Sequence, residues 1–72
     1  MAHFYAYCEV HGKCGENRET AEKAAEDCNN HVATVSGPHG LVFPRLSNRE
    51  IVNGIRRYSY KNLKELAIGN EK

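Results

Sequence analysis

Two different periodicities run through the first half of the chain. Over residues 3–10, Phe4, Ala6, Cys8 and Val10 fall on one side and Tyr5, Tyr7 and Glu9 on the other. A repeat of two, rich in aromatic residues, predicts a strand. Gly12 and Gly15 then end it in a tight turn. Beyond the turn the repeat becomes helical. Ala21, Ala24, Ala25, Cys28 and Val32 recur at i, i+3, i+4, i+7 and i+11, one apolar stripe on a helix of about 14 residues. Asn17 is the expected N-cap. Asn29-Asn30-His31 is the expected end, because asparagine tolerates the left-handed conformation that closes helices.

The second half is less regular. Val32-Ala33-Thr34-Val35-Ser36 and Leu41-Val42-Phe43 are short β-prone runs, and Gly37-Pro38-His39-Gly40 between them predicts a hairpin turn. Pro44 is expected to end the second strand. Ser47-Asn48-Arg49-Glu50 has the S-x-x-E form of a capping box and predicts a second helix. Ile51, Val52, Ile55 and Tyr58 supply its apolar face, and Gly54 weakens its middle by about 1 kcal/mol relative to alanine. Whether it continues through Leu63 and Leu66 or breaks near Tyr58-Ser59 stays open. Gly69-Asn70-Glu71-Lys72 reads as a frayed tail. The order β-α-β-β-α predicts a small α+β fold over residues 1–72, a single domain. Its expected sheet is three-stranded and mixed, with the helices on one face and a right-handed crossover through the first helix.

A chain of 72 residues buries only about 60% of the surface its unfolded form exposes, so its core alone leaves a thin margin of stability. Disulfides, a metal or a partner chain are the usual supplements. Three cysteines are an odd number and cannot complete a disulfide framework within one chain. That points to reduced thiols in a cytoplasmic setting, or to a metal site. The start of the chain, Met1-Ala2-His3-Phe4-Tyr5, has no basic region ahead of an apolar run, so no signal peptide is expected. No apolar stretch approaches the roughly 20 residues needed to cross a bilayer, so no membrane partner is expected.

All three cysteines lie near two histidines, as Cys8-x2-His11-x2-Cys14 and Cys28-x2-His31. These are zinc ligands at zinc-like spacings. His11, Cys14, Cys28 and His31 form the candidate metal set: one pair in the turn after the strand, the other three apart on a helix face. An alternative quartet is Cys8, Cys14, Cys28 and His31. The composite His11-x2-Cys14-x13-Cys28-x2-His31 resembles a two-Cys two-His zinc finger, which implies a knuckle ahead of a helix carrying the second ligand pair. The competing reading needs no metal. Cys8 lies in register with Phe4, Ala6 and Val10, and Cys28 lies in the alanine stripe, so both are explained as small core residues. Catalysis is not expected. Cys14 with His11 or His39 is the nearest approach to a nucleophile and base, in a chain with little room for a substrate pocket.

Charge separates along the chain. Residues 1–36 carry six acids and three bases, a balance of −3, and residues 37–72 carry seven bases and three acids, a balance of +4. Arg56-Arg57-Tyr58-Ser59-Tyr60-Lys61 is the most distinctive basic run. Bases neutralise phosphates and aromatic rings stack on unpaired bases. Arg49, Arg56, Arg57, Tyr60 and Lys61 are therefore the candidate partner-binding residues. The first functional expectation is a small non-enzymatic binding protein whose basic half engages nucleic acid or an acidic protein surface. The second is a small inhibitor or adaptor that binds a protein target, with a homodimer as an option: the acidic stripe of Glu19, Glu22 and Glu26 would meet the basic helix of a second copy, head-to-tail or two-fold, and the outward Tyr5 and Tyr7 suit such an interface.

Overall fold

The N-terminal alternation folds as its pattern requires. In a computed structural model, which describes residues 2–68, β1 runs Ala2–Cys8. Ala6 and Cys8 are fully buried on one face of the sheet. Three turn residues lead into the two-residue β2, Gly12–Lys13, which pairs antiparallel with β1.

The alanine stripe folds as α1, Ala21–Thr34. Ala24 and Cys28 are fully buried, and Val32 packs against the core. Thr20 is the N-cap, its side chain accepting a hydrogen bond from the Lys23 amide at 3.3 Å. Asn17 lies upstream and accepts instead from Lys13 Nζ. The helix also runs past Asn29-Asn30-His31, because His31 and Val32 continue its buried side. It closes where the Val35 amide donates to the His31 carbonyl at 2.9 Å. Val32 to Thr34 are therefore helical, and the hairpin expected between residues 32 and 43 does not form.

The second helix does not form either. Its residues make β3, Val42–Val52, and β4, Ile55–Asn62. Asn53 and Gly54 join them with φ of 53° and 78°. Positive φ at both central residues is what a two-residue hairpin turn demands, and Asn-Gly is its preferred dipeptide. Ile51, Val52, Ile55 and Tyr58 fit helical spacing, but β-branched and aromatic side chains lose rotamer freedom in a helix and pack well on a pleated surface. Among the described residues after β4, Lys64–Leu66 form a short 3-10 turn. The Gly69–Lys72 tail lies outside the described residues.

The sheet is thus four-stranded in the order β2-β1-β3-β4, and every pairing is antiparallel. This corrects the expected three-stranded mixed sheet with two helices in a β-α-β-β-α order. α1 leads from β2 to β3, which pairs antiparallel with β1, so no parallel crossover forms through it. Pro44 does not end β3. Its carbonyl accepts from the Leu63 amide, so its ring nitrogen faces the same side. There the β4 ladder has already ended at the Arg45–Asn62 pair, and the missing N–H costs no ladder bond.

Helix α1 lies on β1 and β3. The core between them is Ala6, Cys8, Cys28 and Val42, edged by Cys14, Val32 and Ile68. Arg18 ties the loop ahead of α1 in two ways. Its backbone exchanges hydrogen bonds with Phe4, and its guanidinium makes a two-pronged contact with Asp27 at 2.8 and 3.0 Å. β1 ends its pairing with β3 at the Ala2–Asn48 pair. Beyond it β3 and β4 continue as a two-stranded ribbon, and the molecule measures 44 × 19 × 19 Å. No helix among the described residues is long and apolar enough to cross a membrane.

The ribbon's turn yields a direct test. A Cβ at residue 54 would meet no neighbouring atom, so Gly54→Ala isolates the cost of positive φ. That substitution lowers stability by about 1–2 kcal/mol, measured by urea unfolding. In a helix the same change would stabilise by about 1 kcal/mol.

Candidate metal centre and basic sheet face

Cys8 ends β1, and His11 follows in the turn to β2. Gly12, at φ 82°, follows as the first residue of β2 and pairs with Cys8, and the Cys8 and His11 side chains lie together at the turn. The Cys8 sulfur lies 3.4 Å from His11 Nδ1 and accepts a hydrogen bond from the His11 amide at 3.3 Å. His31, in the last turn of α1, and His39, in the loop ahead of β3, complete a cluster. The three imidazole centroids are 4.7–5.2 Å apart. One ligand atom from each of Cys8, His11, His31 and His39 lies within 4.8 Å of all the others. These four residues can hold a metal ion.

The details suit that role. Zinc bonds of about 2.0–2.3 Å in a tetrahedron put ligand atoms roughly 3.3–3.7 Å apart, and the Cys8–His11 pair already meets this. His39 Nδ1 faces the Cys8 sulfur at 3.9 Å while its Nε2 lies 2.9 Å from the Val35 carbonyl. A proton on Nε2 donated to that carbonyl leaves the Nδ1 lone pair aimed at the cluster, the outer-shell arrangement that fixes a ligating histidine. His31 Nε2 is buried with no hydrogen-bond partner. An orphaned buried nitrogen costs about 1–3 kcal/mol, and a metal ion would satisfy it. Burial, then His39 and His11, push the His31 pKa below its usual 6.5, which favours the neutral, ligating form.

Of the expected quartet, His11 and His31 belong to this cluster, and Cys14 and Cys28 do not. Cys28 is fully buried in the core and Cys14 packs at its edge. Burial, with neighbouring cysteines and Asp27, pushes both thiols up to about 11, so they are protonated at neutral pH. The alternative quartet shares only Cys8 and His31 with the cluster. The expected two-Cys two-His arrangement does not assemble: the pair at the turn is Cys8-x2-His11 in place of His11-x2-Cys14. The helix contributes His31 alone, and the fourth residue is His39. That residue carried no spacing signal. It reaches the cluster only because α1 turns back to the start of β3. All three cysteines are free.

The candidate partner-binding residues lie on β3 and β4, where alternation divides them. The strand register puts Arg49, Arg56 and Tyr60 on the sheet face away from α1, and Arg57 and Lys61 on the other. The same register gathers all four tyrosines, Tyr5, Tyr7, Tyr58 and Tyr60, on the helix-free face, with Lys13, Arg45, Arg49 and Arg56. No carboxylate among the strand residues shares that face. Arg45 is held at its centre, its guanidinium 3.7 Å from the Tyr7 ring centroid and 5.8 Å from that of Tyr60, with Nε donating to Asn62 at 2.8 Å. Lys13 Nζ sits 5.0 Å from the Tyr5 ring centroid. Tyr5 is buried, whereas Tyr58 and Tyr60 are more than half exposed. A cleft of about 350 Å³ opens between His3, Ser47, Arg49 and Tyr58.

The chain matches no protein-family model, and no curated protein or solved structure is significantly similar to it.

The lowered His31 pKa sets a direction for acid sensitivity. Unfolded chains take up a proton on this residue below about pH 6.5, while the folded state resists it. In chelator, the His31 contribution to stability is complete above pH 6.5 and falls as the pH drops below it. Urea unfolding from pH 5 to 8 measures the profile, and His31→Gln makes it shallower.

Proposed function

We propose that the protein is a small, zinc-stabilised, non-enzymatic binding domain of a reducing compartment such as the cytoplasm, and that its helix-free sheet face engages nucleic acid. The observation that carries the binding role is the composition of that face, four tyrosines and four cations with no strand carboxylate opposing them. A face rich in positive charge attracts a polyanion and releases its counterions. Zinc is the metal the donor set favours, because one thiolate and three imidazoles suit a borderline-soft ion in tetrahedral geometry. With four protein ligands the site is closed, which fits a structural ion rather than a catalytic one. A homodimer formed by pairing two β4 edges is disfavoured by charge, since Arg56, Arg57 and Lys61 are the strand's only charged residues and the two edges would carry the same sign.

Zinc binding is tested on untagged protein. Native mass spectrometry finds one zinc per chain, and chelator lowers the melting temperature. His39→Ala weakens zinc binding by at least the roughly 10–100-fold that outer-shell substitutions cost; no metal under native conditions would refute the site.

The binding role predicts an affinity for oligonucleotides that falls steeply with salt. Removing Arg49 and Arg56 together reduces the slope of log affinity against log salt by about 2. Arg57→Ala, on the opposite face, changes it least. Fluorescence anisotropy across a salt series measures both effects.

A further inference from the structure

We propose that the nucleic acid recognised is single-stranded, and that the cleft between His3, Ser47, Arg49 and Tyr58 takes one of its nucleotides. This rests on the binding role assigned above and narrows it to a substrate class and a site. A duplex hides the faces of its bases in the stack and offers its outer surface mainly as phosphate. A cationic face would be enough to hold it, and exposed aromatic rings would add little. Here the rings are exposed. Tyr58 and Tyr60 stand 54% and 59% accessible on an edge strand, where solvent contact of large apolar surface has no structural benefit. Rings on unpaired bases are the sequence-tolerant contact of single-strand binders.

Spacing supports the same conclusion. Tyr58 and Tyr60 are two residues apart on β4 and share a face, so their Cα atoms are about 7 Å apart. That is roughly twice the 3.4 Å rise between stacked bases, a separation that admits one base against each ring once the strand is drawn out. The neighbouring cleft, about 350 Å³, is at the small end of the roughly 300–1,000 Å³ usual for small-ligand sites. It fits one nucleotide rather than a duplex. Its lining divides by chemistry: the Tyr58 ring for a base, the Arg49 guanidinium for a phosphate or a base edge, and Ser47 and His3 for hydrogen bonds to the sugar or base. Arg45 is fixed between Tyr7 and Asn62 at the floor of the face, so part of the positive charge is ordered before binding.

The test compares three fluorescent ligands at low salt, using the folded protein as purified: a 12-nucleotide oligo(dT) or oligo(U), a 12-base-pair duplex, and poly-glutamate of similar charge. The single strand binds at least about tenfold tighter than the duplex. Tyr58→Ala and Tyr60→Ala each weaken single-strand binding by about tenfold or more and leave duplex binding unchanged. Both side chains are exposed, and a circular dichroism melt checks that the variants stay folded. Equal affinity for single strand and duplex, with no effect of either tyrosine substitution, overturns the single-strand assignment while the broader nucleic-acid role stands. Tighter binding of poly-glutamate than of either nucleic acid, or no binding of nucleic acid at all, overturns both.

Discussion

The contact between the Cys8 sulfur and the surrounding imidazoles draws together three parts of the chain far apart in sequence: the end of β1, the last turn of α1 and the loop that opens β3. Cys8 is at the same time part of the buried core, against Ala6, Cys28 and Val42. Those core side chains are small, and the core of a domain this size rarely supplies more than about 3–5 kcal/mol. A structural zinc site in a small domain is worth about 10–16 kcal/mol in apparent terms. On those magnitudes an ion at this cluster would outweigh the hydrophobic core, and the position of α1 on the sheet would depend on it.

The position of α1 decides what the other face can do. With the helix on one side of β1 and β3, the register gathers the tyrosines and arginines on the opposite side, which buries Tyr5, Phe43 and Ser47 and leaves Tyr58 and Tyr60 of β4 exposed. In an all-antiparallel sheet this division is strict, because each side chain points away from its neighbour's face. The cluster and the helix-free face are thus linked through one layer of backbone. Neither uses the Cys14 or Cys28 thiols, which burial keeps protonated.

Some of this was legible in the sequence. The alternation of Phe4, Ala6 and Cys8 and the spacing of Ala24 and Cys28 are each long enough to favour one period, and both elements form. Residues 47–60 carry two readings at once. Ser47 and Glu50 mimic a capping box, and Ile51, Val52, Ile55 and Tyr58 fit helical spacing, yet Asn53-Gly54 is a hairpin turn and the β-branched and aromatic content favours strands. A few apolar residues do not distinguish a period of 3.6 from one of 2, so the turn dipeptide was the stronger signal. At the Cys8, His11, His31 and His39 cluster, Cys8-x2-His11 with a following glycine was visible. Selection of His39 over Cys14 and Cys28 was not, because it follows from where α1 returns the chain rather than from any spacing.

The ribbon beyond the Ala2–Asn48 pair gives the molecule two tiers of cohesion. Below that pair every strand residue has a helix, a third strand or the imidazole cluster near it. Above it, β3 and β4 have only each other, with Ile51 and Ile55 about two-thirds exposed. Local openings there cost little, since they break a few ladder hydrogen bonds and uncover almost no buried surface. Amide protons at the ribbon's tip would exchange with solvent long before those of β1. The segment that carries Arg49, Arg56 and Tyr58 is therefore the part of the fold best able to bend to the shape of what it meets, while its base stays anchored in the rest of the sheet.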